Sequence, residues 1–340
     1  MDELIKELRN IVSKKDLSDD YLLMNSKYIS LKIESKNFHD IIPINNHNTN
    51  IVSSKKVLFV DGGNTVLFES ADFCIAFIRV GGIVYSQNRR ISRKSHEFYM
   101  FVKETSGKYS VKTYPETSFN NMMFDPEDES LRSGLEKCSV ARIVSVIRRL
   151  AEIEYAALFC SDIETDVSYI VMDGTLEARY PFEDTYLAKL LAFGKTCALS
   201  KTCILTTKNG ISITKKLFDL HNKLWYYFPI VTNNNPKHDA ELYFVKLNDK
   251  TNYVFRFEIQ KNFEGNVEEL FSLLVANSND PIFLGYPYGL IDVDQYVRIS
   301  DDESRLLQTK LSVKLGKDWN ELSKHLNSTN AHSILDKIKF

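Results

Sequence analysis

Two aspartates follow short apolar runs at distant points of the chain, and a glycine comes directly after each. Asp61 follows VLFV in the string VLFVDGGN (57–64), and Asp173 follows YIVM and precedes GTLEARY. Such apolar runs predict buried strands, and glycine lets the backbone turn or approach a ligand closely. Asp-Gly pairs also make ordinary turns. Two of them in one chain favour a shared site at neighbouring strand ends.

A third carboxylate comes from a predicted helix at 139–160. Its apolar residues recur at helical spacing (Val140, Ile143, Val144, Ile147, Leu150, Ala151 and Leu158). On a helical wheel Glu154 falls within the apolar arc, whereas Glu152 falls on the polar side. A buried glutamate requires a salt bridge or a metal ion. Arg148 or Arg149 could supply the bridge, although both lie on the far side of the helix from Glu154.

Three converging carboxylates would repel one another, and a divalent cation would remove that cost. Oxygen ligands without cysteine or histidine favour Mg²⁺ or Mn²⁺. Two such ions are a common means of activating water and stabilising the leaving oxygen in phosphodiester cleavage. The string DGTL (173–176) also suggests a haloacid-dehalogenase-type phosphatase. That motif needs a nucleophilic aspartate two residues before Asp173, where this chain has Val171.

The composition fits a soluble globular protein and excludes several other classes. The chain has 340 residues, a net charge of −2 and 44% hydrophobic residues, so any contact with a polyanion requires a local basic patch. The densest patch is QNRRISRKSHE (87–97), whose Arg89, Arg90, Arg93 and Lys94 are candidate DNA-binding residues or a solvated loop. No apolar run reaches the length of a membrane span. Five cysteines without CxxC spacing predict a cytoplasmic protein.

The order of predicted elements indicates a mixed α/β sheet with helices on its faces. An antiparallel meander is predicted over 56–114. After the long helix we expect a strand ending at Asp173, a helix near 183–193 and a strand at 198–207. A helix near 214–227, a hairpin at 241–259, a helix at 266–276 and a final helix after GYPYGLIDVDQYV (285–297) follow.

Five strings in order resemble the motifs of the NurA nucleases over about residues 55–300: VLFVDGGN, IRRLAEIEYA, VMDGTL, ALSKTCIL and GYPYGLIDVD. The resemblance implies a ribonuclease-H-like α/β core with additional helical and hairpin segments, and a Mn²⁺-dependent (or Mg²⁺-dependent) active site. It also implies a homodimer that docks onto a HerA-type hexameric ATPase in DNA end resection for double-strand-break repair. The implied domains are an N-terminal helix and polar loop (1–50), the nuclease domain (51–300) and a C-terminal helical segment (301–340).

The resemblance also implies roles for single residues. Asp61 and Asp173 correspond to metal ligands, and Lys201 to a lysine that can contact phosphate. The helical glutamate corresponds to Glu152 by the family's Arg-x-x-x-Glu pattern or to Glu154 by helix geometry, and we rank Glu154 first. Tyr286 or Tyr288 corresponds to the family's tyrosine.

The last motif departs from the family pattern, which usually reads GYPYPL, two residues, then Ala-His. Gly289 replaces proline, and Asp294 stands where histidine is expected. Asp294 can still bind Mn²⁺ through oxygen. The resemblance to the NurA family implies a DNA nuclease with single-strand endonuclease and 5′–3′ exonuclease activity. Two alternatives are a non-catalytic partner of a hexameric ATPase that guides DNA, and a nuclease directed at RNA.

Overall fold

A computed structural model describes residues 1–13, 21–24, 27–31, 33–44, 55–132, 134–161, 166–231 and 234–329. Its helices are α1 (Asp2–Ser13), α2 (Val140–Ser161), α3 (Glu183–Leu191), α4 (Ile213–Leu220), α5 (Val267–Asn277), α6 (Tyr288–Val297), α7 (Asp301–Leu315) and α8 (Asp318–Thr329). Its strands are β1 (Tyr21–Met24), β2 (Lys27–Ser30), β3 (Phe38–Asp40), β4 (Lys56–Glu69), β5 (Phe73–Ser86), β6 (Arg89–Thr105), β7 (Lys108–Tyr114), β8 (Met123–Phe124), β9 (Tyr169–Asp173), β10 (Thr196–Ser200), β11 (Thr206–Thr207), β12 (Trp225–Tyr227), β13 (Ala240–Lys246) and β14 (Phe255–Gln260).

A large mixed sheet dominates the described part of the chain. Its strands lie in the order β3-β12-β13-β14-β10-β9-β4-β5-β6-β7-β8, and β11, β1 and β2 form a small separate sheet. Strands β4 to β7 are antiparallel neighbours in chain order. On the other side of β4, β9 pairs with β4 in parallel, and β10 pairs with β9 in parallel. The predicted meander and the ribonuclease-H-like mixed sheet flanked by helices are confirmed.

Both faces of the central strands are covered by helices. Along β4, Leu58 and Val60 join the core under α2, whereas Phe59 joins the opposite core with α5 and α6. This alternation follows from the two-residue period of a strand. By the same two-residue period, the side chains of Asp61 and Asp173 point to the same face of the sheet as Phe59. Glu152 on α2 therefore has to reach them from the other face.

Four sequence predictions differ from the structure in detail. The strand predicted at 198–207 divides into β10, which ends at Ser200, and β11, which belongs to the small sheet. Strand β4 does not end at Asp61 but continues to Glu69. The helix predicted near 214–227 ends at Leu220, and Trp225–Tyr227 instead forms β12 between β3 and β13. Three consecutive aromatic residues suit a buried, pleated surface better than one face of a helix. The predicted final helix is a series of three, α6 to α8.

The C-terminal helices extend the core rather than stand apart from it. Leu307 of α7 packs with Leu67 of β4 and Phe77 of β5. In the described ranges, no helix combines the length and the apolar character needed to cross a bilayer. The division of the chain at residues 50 and 300 stays a prediction.

Candidate active site

The parallel ladder between β4 and β9 places Asp61 and Asp173 at adjoining positions. Val60 pairs with Met172 in register, and each aspartate is the next residue on its strand. Neighbouring strands lie about 4.8 Å apart. Strand β9 ends at Asp173 while β4 continues, so the sheet opens there into a cleft of about 880 Å³. We call it the carboxylate cleft, because Asp61, Asp173 and Glu152 line it.

The glycines that follow the two aspartates have different physical roles. A Cβ atom on Gly62 would lie 2.8 Å from Oε1 of Glu152, so the absence of a side chain at Gly62 allows Glu152 to pack closely against β4. Gly174 has φ +99°, which side chains rarely allow, and its N–H donates to the carbonyl of Leu199 at 2.9 Å. The first glycine thus makes room for a carboxylate, and the second turns the chain after β9.

Glu152, not Glu154, reaches the carboxylate cleft. Glu152 is 4% exposed and forms ion pairs with Arg148 and, at 3.7 Å, with Arg149. Glu154 is half-buried and accepts a hydrogen bond from Oγ of Ser118 at 2.7 Å. It lines a separate cleft on the β6 side of α2. The helical wheel placed Glu154 on the buried side of α2 and Glu152 on the polar side, and this expectation was wrong. Helix α2 is covered by α3 as well as by the sheet, so Glu152 is the more buried of the two.

The electrostatics of Asp61 show that the negative charge in the cleft is incompletely balanced. Burial, followed by repulsion from Glu152 and Asp173, raises the pKa of Asp61 to about 7. The N–H of Gly62, which donates to Oδ1 of Asp61 at 2.7 Å, and the charge of Lys201 act in the opposite direction. An added cation would therefore stabilise the ionised form of Asp61.

Lys201 and Tyr286 lie beside the paired aspartates. Nζ of Lys201 is 2.8 Å from Oδ2 of Asp173 and 6.0 Å from the centre of the Tyr286 ring. Burial, with the charges of Asp173, Asp61 and Asp294, raises the pKa of Tyr286, which keeps its hydroxyl protonated. Among the described residues this buried hydroxyl has no hydrogen-bond partner, and Tyr286 does not line the carboxylate cleft. The other candidate, Tyr288, packs edge-on against Tyr85 instead.

The two departures in the last motif have separate structural contexts. A Cβ atom on Gly289 would overlap the ring of Phe59, and its N–H donates to Oδ1 of Asn277 at 2.8 Å. Proline at position 289 has no N–H to donate to Asn277, and its side chain would clash with the ring of Phe59. Asp294 is ion-paired with Arg298 and does not line the carboxylate cleft. Burial opposes a rise in the pKa of Lys201, but contact with Asp173 and the charges of Asp61 and Asp294 raise it.

The donor set suits a hard divalent cation, although the cage is incomplete. In the part of the chain that the structure describes, no three Asp, Glu, His or Cys side chains are already arranged to hold a metal ion. Asp61 and Asp173 are adjacent and offer only oxygen, which fits Mg²⁺ or Mn²⁺. Glu152 is held by Arg148, whose Nη1 also donates to the carbonyl of Gly62 at 3.0 Å.

The predicted DNA-binding residues lie on β6, and none of them lines the carboxylate cleft. Arg90 pairs with Asp292 at 3.0 Å, Arg93 lies over the ring of Tyr296, and Lys94 lies over that of Phe159. Five arginines do line the cleft, and none of them was selected from the sequence as a DNA-binding residue: Arg142, Arg148, Arg149, Arg179 and Arg256. Arg142, Arg149 and Glu152 recur at the spacing of one helix face, and this pattern could have identified Arg142 from the sequence.

The strand order, the flanking helices and the adjoining carboxylates of β4 and β9 define a ribonuclease-H-like α/β protein. The resemblance to the NurA family is confirmed, since residues 201–299 match the NurA domain. The fold is also that of the NurA nuclease from Sulfolobus solfataricus, with a TM-score of 0.54 and 14% identity over 93% of this chain and 95% of the other.

Two endonuclease V structures are more distant. The Ciona intestinalis enzyme bound to inosine-containing 23mer DNA has a TM-score of 0.40 and 13% identity, covering 80% of this chain and 92% of that one. The human enzyme has a TM-score of 0.40 and 11% identity, covering 82% and 94%. These scores are too low to indicate more than a general likeness. No curated protein matches the sequence significantly.

Proposed function

We propose that this protein is a Mn²⁺- or Mg²⁺-dependent DNA nuclease with single-strand endonuclease and 5′–3′ exonuclease activity. The observation that carries the proposal is the meeting of Asp61, Asp173 and Glu152 in one cleft, with the pKa of Asp61 raised to about 7. Carboxylates that repel one another in this way are typical of functional sites. The match to the NurA domain and the shared fold support the same function.

Asp61 and Asp173 are the proposed metal ligands, with Glu152 and Asp294 as further carboxylates close by. A divalent ion bound there would supply an activated water and neutralise developing charge on phosphate oxygens. Lys201 would pair with a phosphate oxygen, since its Nζ lies 2.8 Å from Oδ2 of Asp173 and its side chain is 47% exposed. Tyr286 is the remaining proposed catalytic residue, and its buried hydroxyl has no hydrogen-bond partner among the described residues.

The proposed setting is DNA end resection in double-strand-break repair, with the protein acting as a homodimer on a HerA-type hexameric ATPase. The support for both partners is the family resemblance. Co-purification with such an ATPase and the mass of the free protein in solution are direct tests. A monomeric mass in solution, together with no co-purification with such an ATPase, would contradict this part of the proposal.

The activity test compares Asp61→Asn with a matched control, Asp302→Asn, whose carboxylate is 93% exposed on α7. Each protein is incubated with end-labelled single-stranded DNA and Mn²⁺, with EDTA in a parallel reaction. We expect fragments from the wild type and the control, none in EDTA and none from Asp61→Asn. Full activity of Asp61→Asn would refute the assignment. Single-stranded RNA of the same sequence, run beside the DNA, tests the alternative substrate.

A non-catalytic role remains the second candidate, and one feature favours it. The cleft's own cations already engage its acids, since Arg148 binds Glu152 and Lys201 binds Asp173. A protein that only guides DNA for a hexameric ATPase would bind single-stranded DNA and yield no fragments with either metal. Binding without cleavage under all these conditions would select this role.

A further inference from the structure

One face of α2 forms a continuous wall of the carboxylate cleft. Arg142, Ser145, Arg148, Arg149 and Glu152 all line it, at the three- and four-residue spacing of a helix face. The helix rises 1.5 Å per residue, so Arg142 stands about 15 Å along the axis from Glu152. The wall thus leads from the carboxylates to the first turn of α2.

Arg142 has a fixed position and an unbalanced charge. Its guanidinium lies over the ring of Tyr180, 5.2 Å from the centre, and Nη2 donates to the Tyr180 hydroxyl at 3.1 Å. The side chain is exposed. Among the described residues no carboxylate lies within ion-pair distance of it, in contrast to Arg148 and Arg149, which pair with Glu152. Arg142 is therefore oriented for an anion that the described residues do not provide.

The acids near Arg142 are already bonded to other groups. Oε2 of Glu183 accepts from the N–H groups of Arg179 and Tyr180 at 2.8 and 3.0 Å, and Oε1 accepts from Nε of Arg149 at 2.9 Å. Glu177 accepts from Asn235 and from the Arg179 side chain. These bonds reduce the repulsion that a phosphate would meet in this part of the cleft.

We propose that Arg142 binds a backbone phosphate of a single-stranded polynucleotide whose cleaved phosphate lies at Asp61 and Asp173. The inference rests on the proposed nuclease function and adds the path of the strand along α2. A separation of about 15 Å corresponds to about four nucleotides at the stacked spacing of about 3.4 Å. The contact is with the backbone, so it is independent of base sequence.

Binding is tested with Arg142→Gln, and Arg305→Gln serves as the matched control because Arg305 is 72% exposed on α7, away from the cleft. Anisotropy of a fluorescent 12-nucleotide DNA in EDTA gives the Kd of each protein at several salt concentrations. We expect Arg142→Gln to raise the Kd about three- to tenfold and to lower the salt slope by about one. We expect Arg305→Gln to match the wild type. An unchanged Kd and slope for Arg142→Gln would overturn the proposal.

Cleavage kinetics place the contact at a distance from the chemistry. On a long oligonucleotide with Mn²⁺ we expect Arg142→Gln to raise KM and leave kcat unchanged. On the p-nitrophenyl ester of thymidine 5′-monophosphate, which is too short to reach Arg142, its rate should equal that of the wild type. An equal loss on both substrates would contradict a distant phosphate contact. If the wild type cleaves neither substrate, the proposed nuclease function fails, and the anisotropy measurement still decides the role of Arg142.

Discussion

Asp61 and Asp173 are consecutive in space although 112 positions apart in sequence, because Val60 and Met172, the residues before them, are paired in one parallel ladder. Strand pairing alone fixes this relationship. The third acid, Glu152, joins them only because Gly62 carries no side chain. The cleft therefore depends on one ladder and one glycine.

Glu152→Gln and Glu154→Gln test which helical glutamate serves the site. The first removes a buried carboxylate that interacts with Asp61, so we expect nuclease activity to fall by at least about 100-fold. The second removes only an acceptor for Ser118, so activity should stay within about threefold of the wild type. Initial rates with Mn²⁺ measure both. Loss of activity in Glu154→Gln with retention in Glu152→Gln would reverse the assignment.

Gly62→Ala tests the close approach of Glu152 to β4. The new methyl group would press on Glu152 and, at 3.1 Å, on Val80, so we expect a loss of about 1–3 kcal/mol in stability and at least about tenfold in activity. Gly107→Ala is the control: its methyl group meets nothing within 4 Å, but φ of +75° costs about 1 kcal/mol. Urea unfolding and initial rates separate the two effects. Equal activity of the two variants would show that Glu152 tolerates displacement.

The raised pKa of Asp61 predicts a pH-dependent stability in metal-free protein. A carboxyl group with a pKa raised from 3.8 to about 7 favours the folded state below pH 3.8, and that contribution is lost as pH rises through 7. Asp61→Asn is neutral at every pH. We therefore expect the variant to be more stable than the wild type at pH 8, by at most about 4 kcal/mol, and to differ little at pH 4.

Urea unfolding in EDTA at pH 4, 6 and 8 measures this difference. Comparison between the two proteins cancels the groups that titrate equally in both. A difference in unfolding free energy that does not vary with pH would contradict the raised pKa of Asp61.

The sequence predicted most of the central sheet because its strands are long and apolar. The meander, the long helix α2 and the strand ending at Asp173 follow from hydrophobic period alone. Asp61 was recognised from the sequence as a candidate site residue. The continuation of β4 past it was not predicted, because Gly62 and Gly63 resemble a turn in sequence. Their role as spaces for Glu152 and for the backbone of Val297 exists only in the folded protein.

The site was less predictable where two packing surfaces act on one element. A helical wheel assumes one buried face, whereas α2 is covered by both the sheet and α3, which buries Glu152. The basic cluster at Arg89–Lys94 was the densest in sequence, but a strand spreads it over two faces. The arginines of the cleft are scattered in sequence and are gathered by α2, by the segment after β9 and by β14.

Anomalous diffraction from crystals soaked in Mn²⁺ tests the central claim most directly. The account predicts a manganese peak within coordination distance of both Asp61 and Asp173, and no such peak in crystals of Asp61→Asn. Manganese bound only elsewhere, or Asp61 and Asp173 with no shared ion at saturating Mn²⁺, would contradict it.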